Sequence, residues 1–234
     1  MASPHAGPNV SPASAPRQLA LALDHAESFA REDFLSGPPN QAALALIERW
    51  PDWPSRLMLL VGPQGSGKSH LAAIWAQAAG ARFAAARTLD SASLPTTLAT
   101  GALVLEDLAP GRFDERALFH LVNLAREEGA FVLMTARSAP AGWNIEVPDL
   151  ASRLRALPVV GLAAPDDALL RAVIVKLFAD RQLAVDESLV VYLANRIERS
   201  FVAARTAVEA LDREALRQKR PATRALAGEL FREP

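Results

Sequence analysis

The sequence contains no cysteine among its 234 residues. Disulfide bonds, thiolate metal sites, cysteine nucleophiles and iron–sulfur clusters are therefore excluded together. Aromatic residues are also scarce, at 6% of the chain, which does not favour the stacking platforms of proteins that bind single-stranded nucleic acid.

An excess of positive charge is missing as well, because 25 Lys and Arg residues oppose 26 Asp and Glu residues. This balance excludes a protein whose main work is to coat nucleic acid by bulk charge. The longest apolar runs, such as 57–61, end after about five residues, whereas a membrane helix needs about 20. The first ten residues lack the basic and apolar regions of a secretory signal, so we expect a soluble cytoplasmic protein with no membrane contact.

The pattern along the chain predicts an α/β region followed by a helical one. Residues 1–16 repeat proline at every fourth position and predict a disordered tail. From residue 28 to 162, short apolar runs alternate with helical patterns, which indicates a doubly wound α/β domain with a parallel sheet. Strands are predicted at Leu57–Val61, Arg82–Ala86, Leu103–Leu105, Phe131–Thr135 and Leu157–Val160, and helices at Gln41–Arg49, Lys68–Ala79, Glu115–Glu128 and Asp149–Leu154.

Residues 163–234 carry no strand signal and predict a small all-α domain. Four helices are expected there, starting near Asp166, Asp186, Phe201 and Pro221, of which the third ends near Gln218 and the last near Phe231.

A glycine-rich motif follows the first predicted strand and fits G-x-x-x-x-G-K-[ST] at every position. Between a strand and a helix, such a loop turns successive backbone amides towards phosphate oxygens, and the helix N-terminus adds positive charge. Lys68 would then reach the β- and γ-phosphates and the Ser69 hydroxyl would bind Mg²⁺. The alternative is a glycine-rich turn with a surface lysine. The predicted nucleotide-binding residues of this loop are Gly62, Pro63, Gln64, Gly65, Ser66, Gly67, Lys68 and Ser69.

Two carboxylates and one hydroxyl follow other buried strands. Glu106 and Asp107 end the third strand and are predicted to share a Mg²⁺ site with Ser69. Asp107 is the first choice for a catalytic role, and Thr135 could hydrogen-bond the attacking water or the γ-phosphate. The alternative for the acid pair is a solvated turn.

In this order the motifs resemble those of the AAA+ ATPases, and among them the bacterial replication initiator DnaA and its short relative Hda. The resemblance implies an AAA+ P-loop NTPase fold, in which a five-stranded parallel sheet forms the base and the all-α region forms a lid. The segment around Phe34 and Asn40 would lie beside the adenine, and Ser152-Arg153-Leu154 is similar to the box that holds the family's arginine finger, with Arg155 as a second choice. The matching stretches are 28–40, 62–71, 103–107, 131–135 and 150–154.

Two features place the chain near Hda within this resemblance. The chain is expected to lack the DNA-reading helix-turn-helix domain of an initiator, since the predicted lid reaches residue 234. Residues 17–27 resemble the glutamine-leucine segments that dock on the sliding clamp of DNA polymerase. Alternatively, these leucines pack on the domain itself. The docking residues would be Gln18, Leu19, Leu21 and Leu23.

The sequence departs from the family pattern at two places. The acid pair reads Glu106-Asp107, whereas the family usually has aspartate first. The lid arginine of the family falls at Val202, and Arg199 or Arg205 could replace it only if the helix were rotated. Intrinsic ATP hydrolysis is therefore expected to be weak or absent.

The resemblance implies a regulator that binds ATP or ADP with Mg²⁺, docks on the sliding clamp and stimulates ATP hydrolysis by DnaA. Contact with DNA would be indirect, through the clamp, and self-association stays open. The alternatives are a helicase loader related to DnaC and a stand-alone P-loop ATPase.

Overall fold

The computed structural model of the chain describes residues 29–232. The segment predicted to dock on the sliding clamp, Gln18 to Leu23, lies outside the described residues, as does the predicted tail.

Five strands form one parallel sheet in the order β2-β3-β4-β1-β5. The central strand β4 and its neighbour β1 consist almost entirely of buried apolar residues, as expected for strands that are covered on both faces. The predicted five-stranded parallel α/β fold is therefore confirmed. The strands span β1 Leu57–Val61, β2 Arg82–Ala85, β3 Ala102–Leu108, β4 Phe131–Ala136 and β5 Val159–Gly161.

The α-helices of the described range pack on both faces of the sheet and continue into the C-terminal region. Five of them begin after a side chain that accepts a hydrogen bond from a free amide of the first turn: Asp114, Asp166, Asp186, Ser200 and Thr223. The helices span α1 Gln41–Glu48, α2 Lys68–Ala79, α3 Leu94–Leu98, α4 Glu115–Glu127, α5 Pro148–Arg155, α6 Asp167–Asp180, α7 Glu187–Arg196, α8 Phe201–Gln218 and α9 Arg224–Leu230.

The buried apolar side chains fall into three clusters. One lies on the sheet face that α4 and α5 cover, and a second lies on the face that α1 and α2 cover. The third is built from α6 to α9 and the residues that join them, and it contains no strand residue. The predicted helical lid at 163–234 thus has an apolar core of its own within the described residues.

The elements differ from the sequence prediction at several places, among them β5, which begins at Val159 instead of Leu157. The strand β3 is longer than predicted and reaches Leu108, α3 was not predicted, and α9 begins at Arg224 after its Thr223 cap instead of at Pro221. Within residues 29–232, no helix is both long and apolar enough to cross a membrane.

Candidate phosphate-binding site

The glycine-rich loop connects the end of β1 to the start of α2, at the carboxyl edge of the sheet. Glycine is required at Gly62, because a Cβ there would lie 2.5 Å from the carbonyl oxygen of Leu162. It is also required at Gly67, whose φ of 96° is in the left-handed region. Glycine thus allows the loop to pass close to its neighbours at both ends, and α2 begins directly after it.

Lys68 is nearly buried, with 9% of its surface exposed. Its Nζ donates hydrogen bonds to the carbonyl oxygens of Gly62 and Pro63, both at 2.8 Å. Burial lowers the pKa of Lys68 and the nearby carboxylate of Asp107 opposes that shift. Among the described residues, the ammonium group thus hydrogen-bonds only to carbonyl groups of the loop, a position from which it can exchange these acceptors for phosphate oxygens.

The buried hydroxyl of Ser66 indicates that this loop fits a ligand. Its side chain is only 1% exposed, and its Oγ has no hydrogen-bond partner within the described residues. A buried hydroxyl without a partner costs free energy, so such groups mark places where a further polar group belongs. A phosphate oxygen at the loop would supply it.

The acid pair lies on a β-bulge at the end of β3. The β3–β4 register shifts between Leu105 and Leu108, so that Glu106 and Asp107 together face one residue of β4. Asp107 takes a left-handed backbone with φ 59°, and its N–H donates to Thr135 Oγ1 at 3.1 Å instead of to a backbone carbonyl. The bulge therefore brings Asp107 and Thr135, two predicted catalytic residues, into direct contact.

The three predicted metal ligands are not a closed protein cage. Ser69 and Asp107 are exposed and Glu106 is half-buried. Among residues 29–232, no group of three or more His, Asp and Glu side chains could hold a metal ion by itself. This donor set fits Mg²⁺, which usually takes only one or two carboxylates and completes its shell with water and substrate phosphates.

The segment before α1 reaches the same loop. Phe34 is buried, and its ring lies 3.4 Å from the position that a Cβ on Gly67 would take. The Asn40 amide accepts from the Gly37 N–H at 2.9 Å and donates to the Leu35 carbonyl at 3.1 Å. The Phe34 ring thus packs beside the loop at Gly67, whereas the Asn40 amide closes its own turn.

The start of α8 contacts the loop from the C-terminal region, which the sequence did not predict. The Phe201 N–H donates to the Gly65 carbonyl at 2.9 Å, and the Phe201 ring lies 3.3 Å from the Cβ position of Gly67. A groove of about 470 Å³ runs between the loop and this region, and its lining includes Gln64, Ile197, Ser200, Val202, Thr206 and Phe231. The sequence indicates only that Ser200 caps the start of α8, and a helix cap does not show which other element the helix start contacts.

The two arginines that could replace the one implied at Val202, Arg199 before α8 and Arg205 on it, both have other interaction partners. Val202 is 55% exposed and faces the loop, 3.5 Å from the Cβ position of Gly65. Arg199 forms an ion pair with Asp167 at 2.9 Å, and Arg205 is half-buried and also has an interaction partner.

Arg153 lies on α5, away from the loop. Its guanidinium stacks over the ring of Phe119 on α4, 5.2 Å from the ring centre, and the side chain is half-buried. Arg155, the second choice, is exposed at the last residue of the same helix.

Comparison with solved structures identifies the fold. Domain III of the replication initiator DnaA from Thermotoga maritima aligns with a TM-score of 0.72 and 18% identity, over 88% of this chain and 98% of the other. The chain has a DnaA-like AAA+ fold. The AMPPCP-bound DnaA from Aquifex aeolicus aligns with a TM-score of 0.65 and 16% identity, over 81% of this chain and 66% of the other.

A second kind of solved structure has a similar fold. The RuvB Holliday junction branch migration motor from Thermotoga maritima aligns with a TM-score of 0.70 and 16% identity, over 87% of this chain and 71% of the other. No family model matches the sequence, and no curated protein matches it. The resemblance to DnaA and its relatives is therefore confirmed as a likeness of fold.

Proposed function

We propose that the chain binds an adenine nucleotide at the loop Gly62–Ser69 and uses it to regulate DNA replication initiation. The observation that carries the first part is the state of the loop itself. An ammonium group held only by carbonyl groups and a buried hydroxyl without a partner within the described residues lie together at the N-terminus of α2. Both groups gain from an oxyanion, and the helix N-terminus adds partial positive charge.

Magnesium would bind between the nucleotide and the end of β3. Ser69 and Asp107 are exposed at that place and Glu106 lies beside them. The ion would neutralise part of the charge on the phosphates, while Lys68 binds their oxygens and Thr135 fixes the backbone of Asp107. The base would lie near Phe34 and Phe201, whose rings flank Gly67.

The regulatory part of the proposal concerns DnaA as the partner. The fold likeness to DnaA domain III supports it, because proteins of one fold can assemble through equivalent surfaces. Gln18, Leu19, Leu21 and Leu23 would dock on the sliding clamp, and Arg153 would enter the nucleotide site of a bound DnaA. There it would stabilise charge on the γ-phosphate, and its support by the Phe119 ring holds the guanidinium in place before the partner binds.

The test is one assay with clamp loaded on DNA, ATP-charged DnaA and the purified protein, in which conversion of the bound ATP to ADP is followed over time. An arginine supplied in trans is worth roughly 10³–10⁵ in rate in comparable systems. We expect Arg153→Ala to abolish the stimulation and Arg126→Ala, at the far end of the sheet, to leave it unchanged.

Replacement of Gln18 and Leu19 by alanine should abolish retention on immobilised clamp.

Three results would contradict the proposal. If Arg153→Ala stimulated ATP hydrolysis by DnaA as fully as the wild type, Arg153 would not be the arginine finger. If Arg155→Ala alone abolished that stimulation, the arginine finger would be Arg155. Retention on the replicative helicase instead of the clamp would favour a helicase loader related to DnaC. Steady turnover of ATP without any partner would favour a stand-alone P-loop ATPase.

A further inference from the structure

The residue that directly follows β4, Arg137, lies between the phosphate-binding loop and the acid pair. The last residue of β4, Ala136, is paired with Val61 of β1 on one side and with Leu108 of β3 on the other. Its carbonyl accepts the N–H of Gly62, the first residue of the loop, at 3.2 Å. Arg137 therefore leaves the sheet at the point where the loop begins and where β3 has just ended.

Within residues 29–232, no ion pair neutralises the charge of Arg137. The side chain is exposed, and its guanidinium forms no hydrogen bond or ion pair with any of residues 29–232. Other arginines of that range do find carboxylates, as Arg181 does with Glu209 and Asp212, and Arg217 does with Glu214.

Arg137 is close enough to Lys68 for the two positive charges to repel. Its charge lowers the pKa of Lys68, after the larger contributions of burial, which lowers the pKa, and of Asp107, which raises it. Two cations held near one another without a ligand cost free energy, and an anion between them turns that cost into attraction. The pair is therefore better suited to a phosphate-bound state than to an empty loop.

The position of Arg137 relative to Thr135 indicates which phosphate it would meet. Only Ala136, the last residue of β4, separates Arg137 from Thr135, so Arg137 begins the loop directly beyond this hydroxyl. Thr135 is bonded to Asp107 at the bulge, the place where the proposed metal and the terminal phosphate would lie. Across the loop, the start of α8 presents Val202, and the two arginines next to it in sequence, Arg199 and Arg205, already have interaction partners.

We propose that Arg137 binds the terminal phosphate of a nucleoside triphosphate and makes the site prefer the triphosphate over the diphosphate. The inference rests on the proposed nucleotide binding at the loop and adds the residue that senses the third phosphate. A guanidinium presents parallel N–H donors that match two phosphate oxygens, so it can replace a lid arginine from the opposite side of the site.

The experiment measures binding of AMPPCP and of ADP, each with Mg²⁺, to the wild-type chain, to Arg137→Ala and to Arg137→Lys. We expect Arg137→Ala to weaken AMPPCP binding about 10- to 100-fold and ADP binding by no more than about twofold. The reason is that only the third phosphate makes the charge-assisted contact with Arg137. Arg137→Lys should retain part of the preference for AMPPCP over ADP, because lysine keeps the positive charge. The rest of the preference should be lost, because lysine lacks the two parallel N–H donors of the guanidinium.

Arg126→Ala is the matched control. Arg126 is an exposed arginine in the last turn of α4, just before β4 begins, so it flanks the same strand at its opposite end. This variant should bind both nucleotides like the wild type. Circular dichroism and thermal unfolding of all variants report whether the fold is kept.

The outcomes separate this inference from the proposed function. If the wild-type chain binds neither nucleotide, the proposed function fails. If the wild type binds both, and Arg137→Ala either keeps the wild-type preference or loses both nucleotides equally while folded, the assignment of Arg137 to the terminal phosphate is wrong.

Discussion

At the scale of single residues, Asp107 takes a backbone conformation that side chains other than glycine rarely adopt, with φ 59°. Aspartate and asparagine tolerate this region better than other residues with a Cβ. The order Glu106-Asp107 then has a structural reason, because the residue with the left-handed backbone is the shorter acid. A glutamate at 107 would lose this tolerance.

The left-handed backbone of Asp107 predicts different stabilities for three variants that all remove the same charge. Asp107→Gly and Asp107→Asn should have similar free energies of unfolding, whereas Asp107→Ala should be lower by about 1 kcal/mol, because alanine pays the full cost of the left-handed region. Urea unfolding of the three proteins measures the difference. Equal stabilities of the alanine and glycine variants would contradict the account of the bulge.

Sequence spacing predicted the loop residues and the acid pair at the residue scale, but not the contact of Asp107 with Thr135. The spacing of G-x-x-x-x-G-K-[ST] fixes which residue is the lysine and which is the hydroxyl. The bulge leaves no such mark, since Leu103, Val104 and Leu105 are buried on both faces and show no alternation from which a change of register could be read.

At the scale of elements, His70 joins the start of α2 to the segment before α1. Its Nε2 lies 3.1 Å from the Ala30 carbonyl, and its ring packs edge-on against Phe29 and Phe34. Burial is the largest influence on this histidine and lowers its pKa from the ordinary value of 6.5. The neutral ring is therefore the form that this packing favours.

A pH dependence of stability follows. As pH falls through 6.5, the unfolded chain takes up a proton at this position before the folded chain does, so the free energy of unfolding decreases with falling pH. As the pH is lowered from about 7.5 to about 5.5, the melting temperature of the wild type should fall more than that of His70→Gln, whose side chain cannot titrate. The measurement is thermal unfolding at several pH values, and parallel curves for the two proteins would contradict the prediction.

The helices that sequence patterns predicted less well are short ones with competing signals. In α3, five residues include Pro95 and two β-branched threonines, which are poor helix formers, and the helix is stabilised by burial of Leu94 and Leu98. At α9, Pro221 suggested a first helical turn, but the Thr223 hydroxyl accepts from the Leu226 N–H and sets a later start. Long helices with one strong signal, such as α8, were predicted with correct bounds.

At the scale of the whole molecule, the C-terminal helices contact the base at the loop and at the segment before α1. The Phe201–Gly65 hydrogen bond joins α8 to the loop, and Lys176 of α6 forms an ion pair with Asp33 at 2.7 Å. Sequence patterns predicted both regions but not these contacts, because neither apolar periodicity nor spacing reports how two separate cores meet. A nucleotide between the loop and α8 would strengthen the first contact.

The central claim is that the loop binds an adenine nucleotide, and the direct measurement is a calorimetric titration of the wild-type chain with ADP in the presence of Mg²⁺. Lys68→Ala is the test variant, and Lys219→Asn is the control, since Lys219 is an exposed lysine whose left-handed backbone asparagine tolerates. We expect saturable 1:1 binding to the wild type and the control, and at least about tenfold weaker binding to Lys68→Ala, which loses a charge-assisted contact. Absence of binding to the wild type up to about 1 mM nucleotide, where the binding free energy is only about −4 kcal/mol, would contradict the account.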